Sequence, residues 1–198
     1  MSPLCPFRGF LVAALCATAL PAAAQQPAGT AVEPAPLPQP QLGDVAPDFA
    51  IPGATREGVT AAPVRLSDLR GQVVVLAFFP RARTSGCTVQ MKAYRDQYDS
   101  LFKGHTVKVL AVSTDADTTL AAWAKELGTP VTFGSDSAGT VGRAYGSLRE
   151  GARGKADMRH LYVIDPSGRI AHRMVPFNEL AADSYTELAA AVARAAGH

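Results

Sequence analysis

Residues 73–88 read VVVLAFFPRARTSGCT, and the order of residue types in this run decides the fold. Residues 73–79 are unbroken apolar, β-branched and aromatic sequence. Such a run reads as a strand buried on both faces, and strands of that kind belong mainly to parallel or mixed sheets covered by helices. Pro80 cannot donate to a sheet and ends the strand. A short polar loop follows, and residues 88–102 then place Val89, Tyr94, Tyr98, Leu101 and Phe102 at roughly helical spacing. Cys87 thus stands in the first turn of a helix, directly behind a buried strand.

The flanking sequence continues this pattern in both directions. Residues 107–112 (VKVLAV) read as the next strand, and residues 118–127 as a helix with Leu120, Trp123, Ala124 and Leu127 on its apolar stripe. A short strand at 131–133 and a short helix at 138–145 follow. Residues 161–164 and 170–174, joined by Asp165-Pro166-Ser167-Gly168, form a β-hairpin with good turn chemistry. An Ala-rich helix closes the chain at about 181–196. Upstream, residues 66–71 have the character of a turn or a single helical turn. The predicted fold class is α/β: a thioredoxin-like layout, with helices on both faces of a mixed central sheet.

The first residues stand apart from this domain. Residues 1–24 carry one charge, Arg8, then the apolar run FLVAALCATAL and the small residues Ala22 to Ala24. This is the layout of a secretory signal peptide cut after Ala24, with an apolar run short of the roughly 20 residues a bilayer needs. Leu15 stands before Cys16 where a lipoprotein signal needs a small residue. Residues 25–42 (QQPAGTAVEPAPLPQPQL) lack apolar periodicity and read as a disordered, Pro-rich tether. Residues 43–198 are the size of one domain. The expectation is an exported protein, in a bacterial periplasm, with no stable membrane anchor.

Charge and cysteine count narrow the chemistry. The chain has 19 Lys and Arg against 17 Asp and Glu, a net charge of +2, with no basic stripe. Nucleic acid and anionic membrane are therefore poor partners. Of the three cysteines, Cys5 and Cys16 lie in the signal segment, so the mature chain keeps only Cys87 and has no internal disulfide. At a helix N-terminus, unpaired backbone N–H groups and the helix dipole favour an anion, here a thiolate. Arg81 and Arg83, in the same loop, are expected to act in the same direction. His105, His160, His172 and His198 are not spaced as a metal set, so neither metal nor cofactor is expected. Gly139-Thr140-Val141-Gly142 has no phosphate-loop spacing.

Pro80-x-x-x-Thr84-x-x-Cys87, set between a buried strand and a helix, resembles the peroxidatic signature of the peroxiredoxins of the AhpC/TSA superfamily. The wider run VVVLAFFPRARTSGCTVQMKAYRD is most similar to the bacterioferritin-comigratory-protein, or PrxQ, branch. The similarity extends from Ala46-Pro47-Asp48-Phe49 through Val112-Ser113-Thr114-Asp115 to Tyr162-Val163-Ile164-Asp165. It implies a thioredoxin-dependent type of peroxidase that reduces hydrogen peroxide or organic hydroperoxides. Cys87 would attack a peroxide oxygen and become a sulfenic acid. Thr84 would hold peroxide and thiolate through its hydroxyl, and Pro80 would shield the thiol from water. The backbone N–H groups of Gly86 and Cys87 would bind substrate and steady the developing charge. The arginine that the family places beside the sulfur is assigned to Arg159, with Arg143, Arg149 and Arg153 as competitors. Leu161 stands where the family often carries a threonine.

One departure alters the implied cycle. Many members of the branch carry a resolving cysteine five residues after the first, and here that residue is Lys92. The expected enzyme uses a single cysteine, and its partners are a peroxide and an external thiol reductant, either a thioredoxin-like protein or a small thiol. A monomer or weak homodimer is expected. Two other functions compete: an envelope thiol–disulfide exchanger and a non-catalytic thioredoxin-fold binding module. The first would need cysteine where Thr84 stands and a proline just before Leu161. The second would tolerate loss of the Cys87 thiol in any peroxide assay.

Overall fold

The computed structural model describes residues 39–152 and 154–197. The predicted signal peptide and residues 25–38 of the tether lie outside these, as do Arg153 and His198. The last residues of the predicted tether lie on the domain: Pro40 is buried, and its carbonyl accepts a bond from Arg173 at 3.4 Å.

In chain order, the first strands are β1 (Ala50–Ile51), β2 (Gly53–Thr55), β3 (Gly58–Val59) and β4 (Val64–Arg65), followed by a 3-10 turn at Leu66–Leu69. Next come β5 (Val73–Phe78), α1 (Ser85–Asp96), α2 (Tyr98–Phe102), β6 (Val107–Ser113), α3 (Asp117–Leu127), β7 (Thr132–Ser135) and α4 (Thr140–Ala144). The chain ends with β8 (Leu148–Gly151), β9 (Gly154–Asp157), β10 (Leu161–Ile164), β11 (Ile170–Met174) and α5 (Ala182–Ala196).

The main sheet has seven strands in the order β11-β10-β5-β6-β7-β2-β3. Strands β5, β6 and β7 run parallel, while β10 and β11 add antiparallel on one side and β2 and β3 on the other. All six residues of β5 are buried because both of its faces are covered. Val73, Val75 and Ala77 enter one core with Met91, Tyr94, Leu120, Trp123, Leu188 and Val192, from α1, α3 and α5. Val74, Leu76 and Phe78 enter the other, with Leu66, Val141, Tyr145 and Tyr162. Helices thus cover both faces, but unequally: α4 and the N-terminal segment suffice for the second.

Two differences from the sequence reading have local causes. The helix expected at 88–102 begins earlier, at Ser85, and breaks at Gln97 (φ −114, ψ 14) into α1 and α2. The break lets the Tyr98 hydroxyl donate to the Val107 carbonyl at 2.6 Å while Leu101 and Phe102 enter the core. The β8–β9 hairpin was not anticipated: LREG and GKAD lack apolar alternation, because most of their side chains are exposed.

Candidate active site

Strand β5 delivers the chain to Pro80, and the loop to α1 is tied down from two sides. The Ala82 N–H donates to the Asp115 carboxylate at 2.8 Å, which also accepts from the Ser113 hydroxyl at 3.0 Å, just beyond β6. Arg83 takes a left-handed backbone (φ 62) and donates twice to Glu126 on α3, at 2.6 and 3.0 Å. That pairing corrects one expectation. Arg83 is exposed and its charge is matched by Glu126, so it holds the loop rather than favouring a thiolate. Arg81 is exposed in the same loop.

Thr84 caps α1 with an extended backbone (φ −76, ψ 154). Its hydroxyl donates to the Arg81 carbonyl at 3.0 Å, and its carbonyl accepts the Thr88 N–H at 2.9 Å. Cys87 follows as the third residue of the helix, fully buried and with a free thiol. No helical carbonyl precedes Gly86 and Cys87, so their N–H groups are not used by the helix. Pro80 lies half-buried at the strand end.

Arg159 comes from the segment between β9 and β10, 72 residues further along. Its Nη2 approaches the Cys87 Sγ at 3.6 Å, its Nη1 donates to the Gln90 Oε1 at 2.6 Å, and its Nε pairs with the Glu179 Oε2 at 2.9 Å. Among its competitors, Arg143 pairs with Glu150 at 3.0 Å, Arg149 is exposed, and Arg153 lies outside the described residues. The structure therefore brings together Cys87, Gly86 and Arg159 at the first turn of α1, while the hydroxyl of the exposed Thr84 is turned to the Arg81 carbonyl and Pro80 lies at the strand end.

Two residues that sequence reasoning did not single out complete the arrangement. Gln90 is fully buried and, beyond accepting from Arg159, donates through Nε2 to the Tyr94 hydroxyl at 2.8 Å. Its signal was present: three residues after Cys87, it shares a helix face with the thiol. Burial pushes the Tyr94 phenol above its ordinary range, so it stays neutral. Glu179 lies in the loop between β11 and α5, and nothing in its sequence neighbourhood marks it. The Tyr185 hydroxyl donates to its carbonyl at 3.0 Å, and the Phe177 N–H donates to the Arg159 carbonyl at 2.8 Å. A Cβ built on Gly86 would collide with the Glu179 carboxylate and lie 3.2 Å from Arg159 Nη2.

His160 is buried beside Arg159, and its Nδ1 lacks a partner. Burial lowers its pKa and keeps it neutral. Among the described residues, no group of three or more His, Cys, Asp or Glu could hold a metal ion, and no helix is long and apolar enough to cross a membrane.

Residues 42–173 match the AhpC/TSA family. Over 136 residues the chain is 36% identical to peroxiredoxin Bcp of Escherichia coli (strain K12), which covers 67% of this chain and 83% of that one. It is 34% identical over 117 residues to the chloroplastic peroxiredoxin Q of Sedum lineare, covering 59% of this chain and 62% of the relative. Among solved structures, it is similar to peroxidoxin BcpB from Mycobacterium tuberculosis, with 28% identity and a TM-score of 0.67, over 79% of this chain and 98% of that one. A mutant of PrxQ from Xylella fastidiosa gives a TM-score of 0.68 at 20% identity, over 80% and 99% of the two chains, a likeness of fold.

Proposed function

The chain belongs to the AhpC/TSA family and is a thiol-dependent peroxidase, similar to its Bcp and Q branch, and we propose that Cys87 alone carries its redox cycle. The observation that carries this reading is the approach of Arg159 Nη2 to Cys87 Sγ, 3.6 Å apart in the first turn of α1. The helix N-terminus and the guanidinium both present positive charge to the sulfur.

In the proposed cycle the thiolate sulfur takes the terminal oxygen of the hydroperoxide and the O–O bond breaks. The electron pair leaves on the other oxygen, which takes a proton to become water or an alcohol, and Cys87 becomes a sulfenic acid. Arg159 and the Gly86 and Cys87 N–H groups stabilise charge as it shifts along the peroxide. Thr84 orients the peroxide and Pro80 keeps water away from the sulfur. An external thiol then attacks the sulfenic sulfur, releasing water and leaving a mixed disulfide. A second thiol attacks that disulfide, returning Cys87 to the thiol and leaving with the first as an external disulfide.

Lys92, at the position of the resolving cysteine in many relatives, supports reduction from outside the chain. The leader-like sequence of residues 1–24 supports export, most simply to a periplasm, and cell fractionation tests this directly. The reductant is then a thioredoxin-like protein or small thiol of that compartment, and the working unit a monomer or weak homodimer.

The test is the rate at which the protein from residue 25 onward loses its Cys87 thiol to hydrogen peroxide near neutral pH. It should exceed the rate of free glutathione by orders of magnitude. Arg159→Ala should lower it by about a hundredfold, the scale of one transition-state donor, and Thr84→Val should lower it as well. A rate like that of glutathione would remove Cys87 as the peroxidatic residue.

A further inference from the structure

The Glu179 carboxylate lies against the same guanidinium that faces the reactive sulfur. Arg159 directs its Nη1 to Gln90 and its Nη2 to Cys87, while its Nε is held by Glu179. Nε and Nη2 share one edge of the planar guanidinium, so sulfur and carboxylate are neighbours along that edge. The ion pair is largely sheltered, with side-chain exposures of 13% for Arg159 and 17% for Glu179, so solvent screens it weakly.

The approach is built into the fold. Gly86 leaves open the space that the Glu179 carboxylate fills. The Glu179 backbone is anchored by the Tyr185 hydroxyl, and its loop is tied by Phe177 to the Arg159 carbonyl. With Cys87 as a thiolate, the charges of Cys87, Arg159 and Glu179 sum to minus one. Without Glu179 they would sum to zero.

We propose that Glu179 sets the charge selectivity of the Cys87 site, turning away anionic oxidants in favour of uncharged hydroperoxides. An uncharged peroxide approaches this negative site without electrostatic cost. An anion meets the carboxylate and the thiolate together, with Arg159 the one cation in contact with both, and close to these sheltered charges that repulsion is large. The inference rests on the peroxidatic reading of Cys87.

The test compares hydrogen peroxide with the peroxymonosulfate anion. In both reactions the sulfur takes the terminal oxygen and the O–O bond breaks. Hydroxide leaves from the first and is protonated to water, whereas sulfate leaves from the second. Rates of Cys87 thiol loss would be measured for the wild type, Glu179→Gln and Glu179→Asp across a range of salt.

Glu179→Gln keeps an acceptor for Arg159 Nε and should raise the peroxymonosulfate-to-peroxide rate ratio about tenfold, at the low end of electrostatic effects on entry to charged clefts. Glu179→Asp should stay near the wild-type ratio. In the wild type, added salt should raise the ratio modestly, by screening the part of the anion's approach that runs through solvent, a readout that does not depend on any variant folding. A ratio that Glu179→Gln leaves within twofold, or that falls with salt in the wild type, overturns the proposal. A wild-type rate with hydrogen peroxide no faster than that of glutathione overturns the peroxidatic reading of Cys87 itself, whatever the ratios.

Discussion

At Gly86 the absence of a side chain has a chemical purpose separate from backbone freedom. Alanine fits the helical backbone there, and Gly to Ala in a helix stabilises by about 0.5–1 kcal/mol. The new methyl group would nevertheless collide with the Glu179 carboxylate and crowd Arg159. Gly86→Ala is therefore expected to leave the melting temperature within a few degrees while lowering the rate of thiol loss to hydrogen peroxide about tenfold, since a displacement of about 1 Å can cost up to a hundredfold. Calorimetry beside stopped-flow kinetics checks both halves, and an unchanged rate would mean that Glu179 and Arg159 move aside without consequence. The same residue shows what sequence could and could not yield. Cys87 was legible from its place in the first helical turn behind a buried strand, while Thr84, Pro80 and Arg159 were singled out only through the family resemblance. Glu179 was not legible, because the residue that makes room for its carboxylate, Gly86, lies 93 residues earlier, and only the folded chain brings them together.

Helix α1 carries the site on one face, with Cys87, Gln90, Met91 and Tyr94 all fully buried. Gln90 is the polar member of that face, accepting from Arg159 and donating to Tyr94. Gln90→Leu would leave the Arg159 Nη1 donor and the buried Tyr94 hydroxyl acceptor without partners, and each such group costs about 1–3 kcal/mol. The expected result is a loss of about 2–5 kcal/mol in stability by denaturant titration, with slower peroxide reaction because Arg159 loses an anchor. Gln90→Glu keeps an acceptor for Arg159 and one for the Tyr94 hydroxyl, so it should recover most of the stability. Equal losses in both variants would mean that the Arg159–Gln90–Tyr94 chain does not hold the helix. Legibility at this scale followed burial. Strands β5, β6, β10 and β11 were readable because they carry apolar runs or a hairpin turn, and β10 and β11 were read with the bounds they have. Strands β1 to β4 are only two or three residues long, too short for any period to register, and β8 and β9 are largely exposed.

Over the whole molecule, two buried titratable groups flank Arg159 and act oppositely on stability. Asp157, at the end of β9, is 2% exposed; Ser147 donates to its Oδ1 at 2.7 Å and its Oδ2 has no partner. Burial pushes its pKa up to about 7, helped by the charges of Asp136 and Asp115. The folded protein then holds a proton on Asp157 that the unfolded chain releases near the ordinary carboxyl value of 3.8, so this group makes stability fall as pH rises from about 4 to 7. His160 runs the other way. Its pKa is lowered from 6.5 by burial, so the folded protein refuses a proton that the unfolded chain accepts, and its contribution is lost as pH falls below that value. Between the lowered histidine value and 6.5 the two slopes oppose each other and flatten the wild-type profile. Asp157→Asn keeps an acceptor for Ser147 and removes one of the two slopes. Relative to the wild type, its stability should therefore climb steadily between pH 4 and 7 and level off above, the total change reaching at most about 4 kcal/mol for a shift of some three pH units. Denaturant titrations of both proteins at unit pH intervals measure the difference directly. A constant offset across that range would mean that Asp157 is ionised in the folded protein throughout, and that the space around its Oδ2 accommodates the charge.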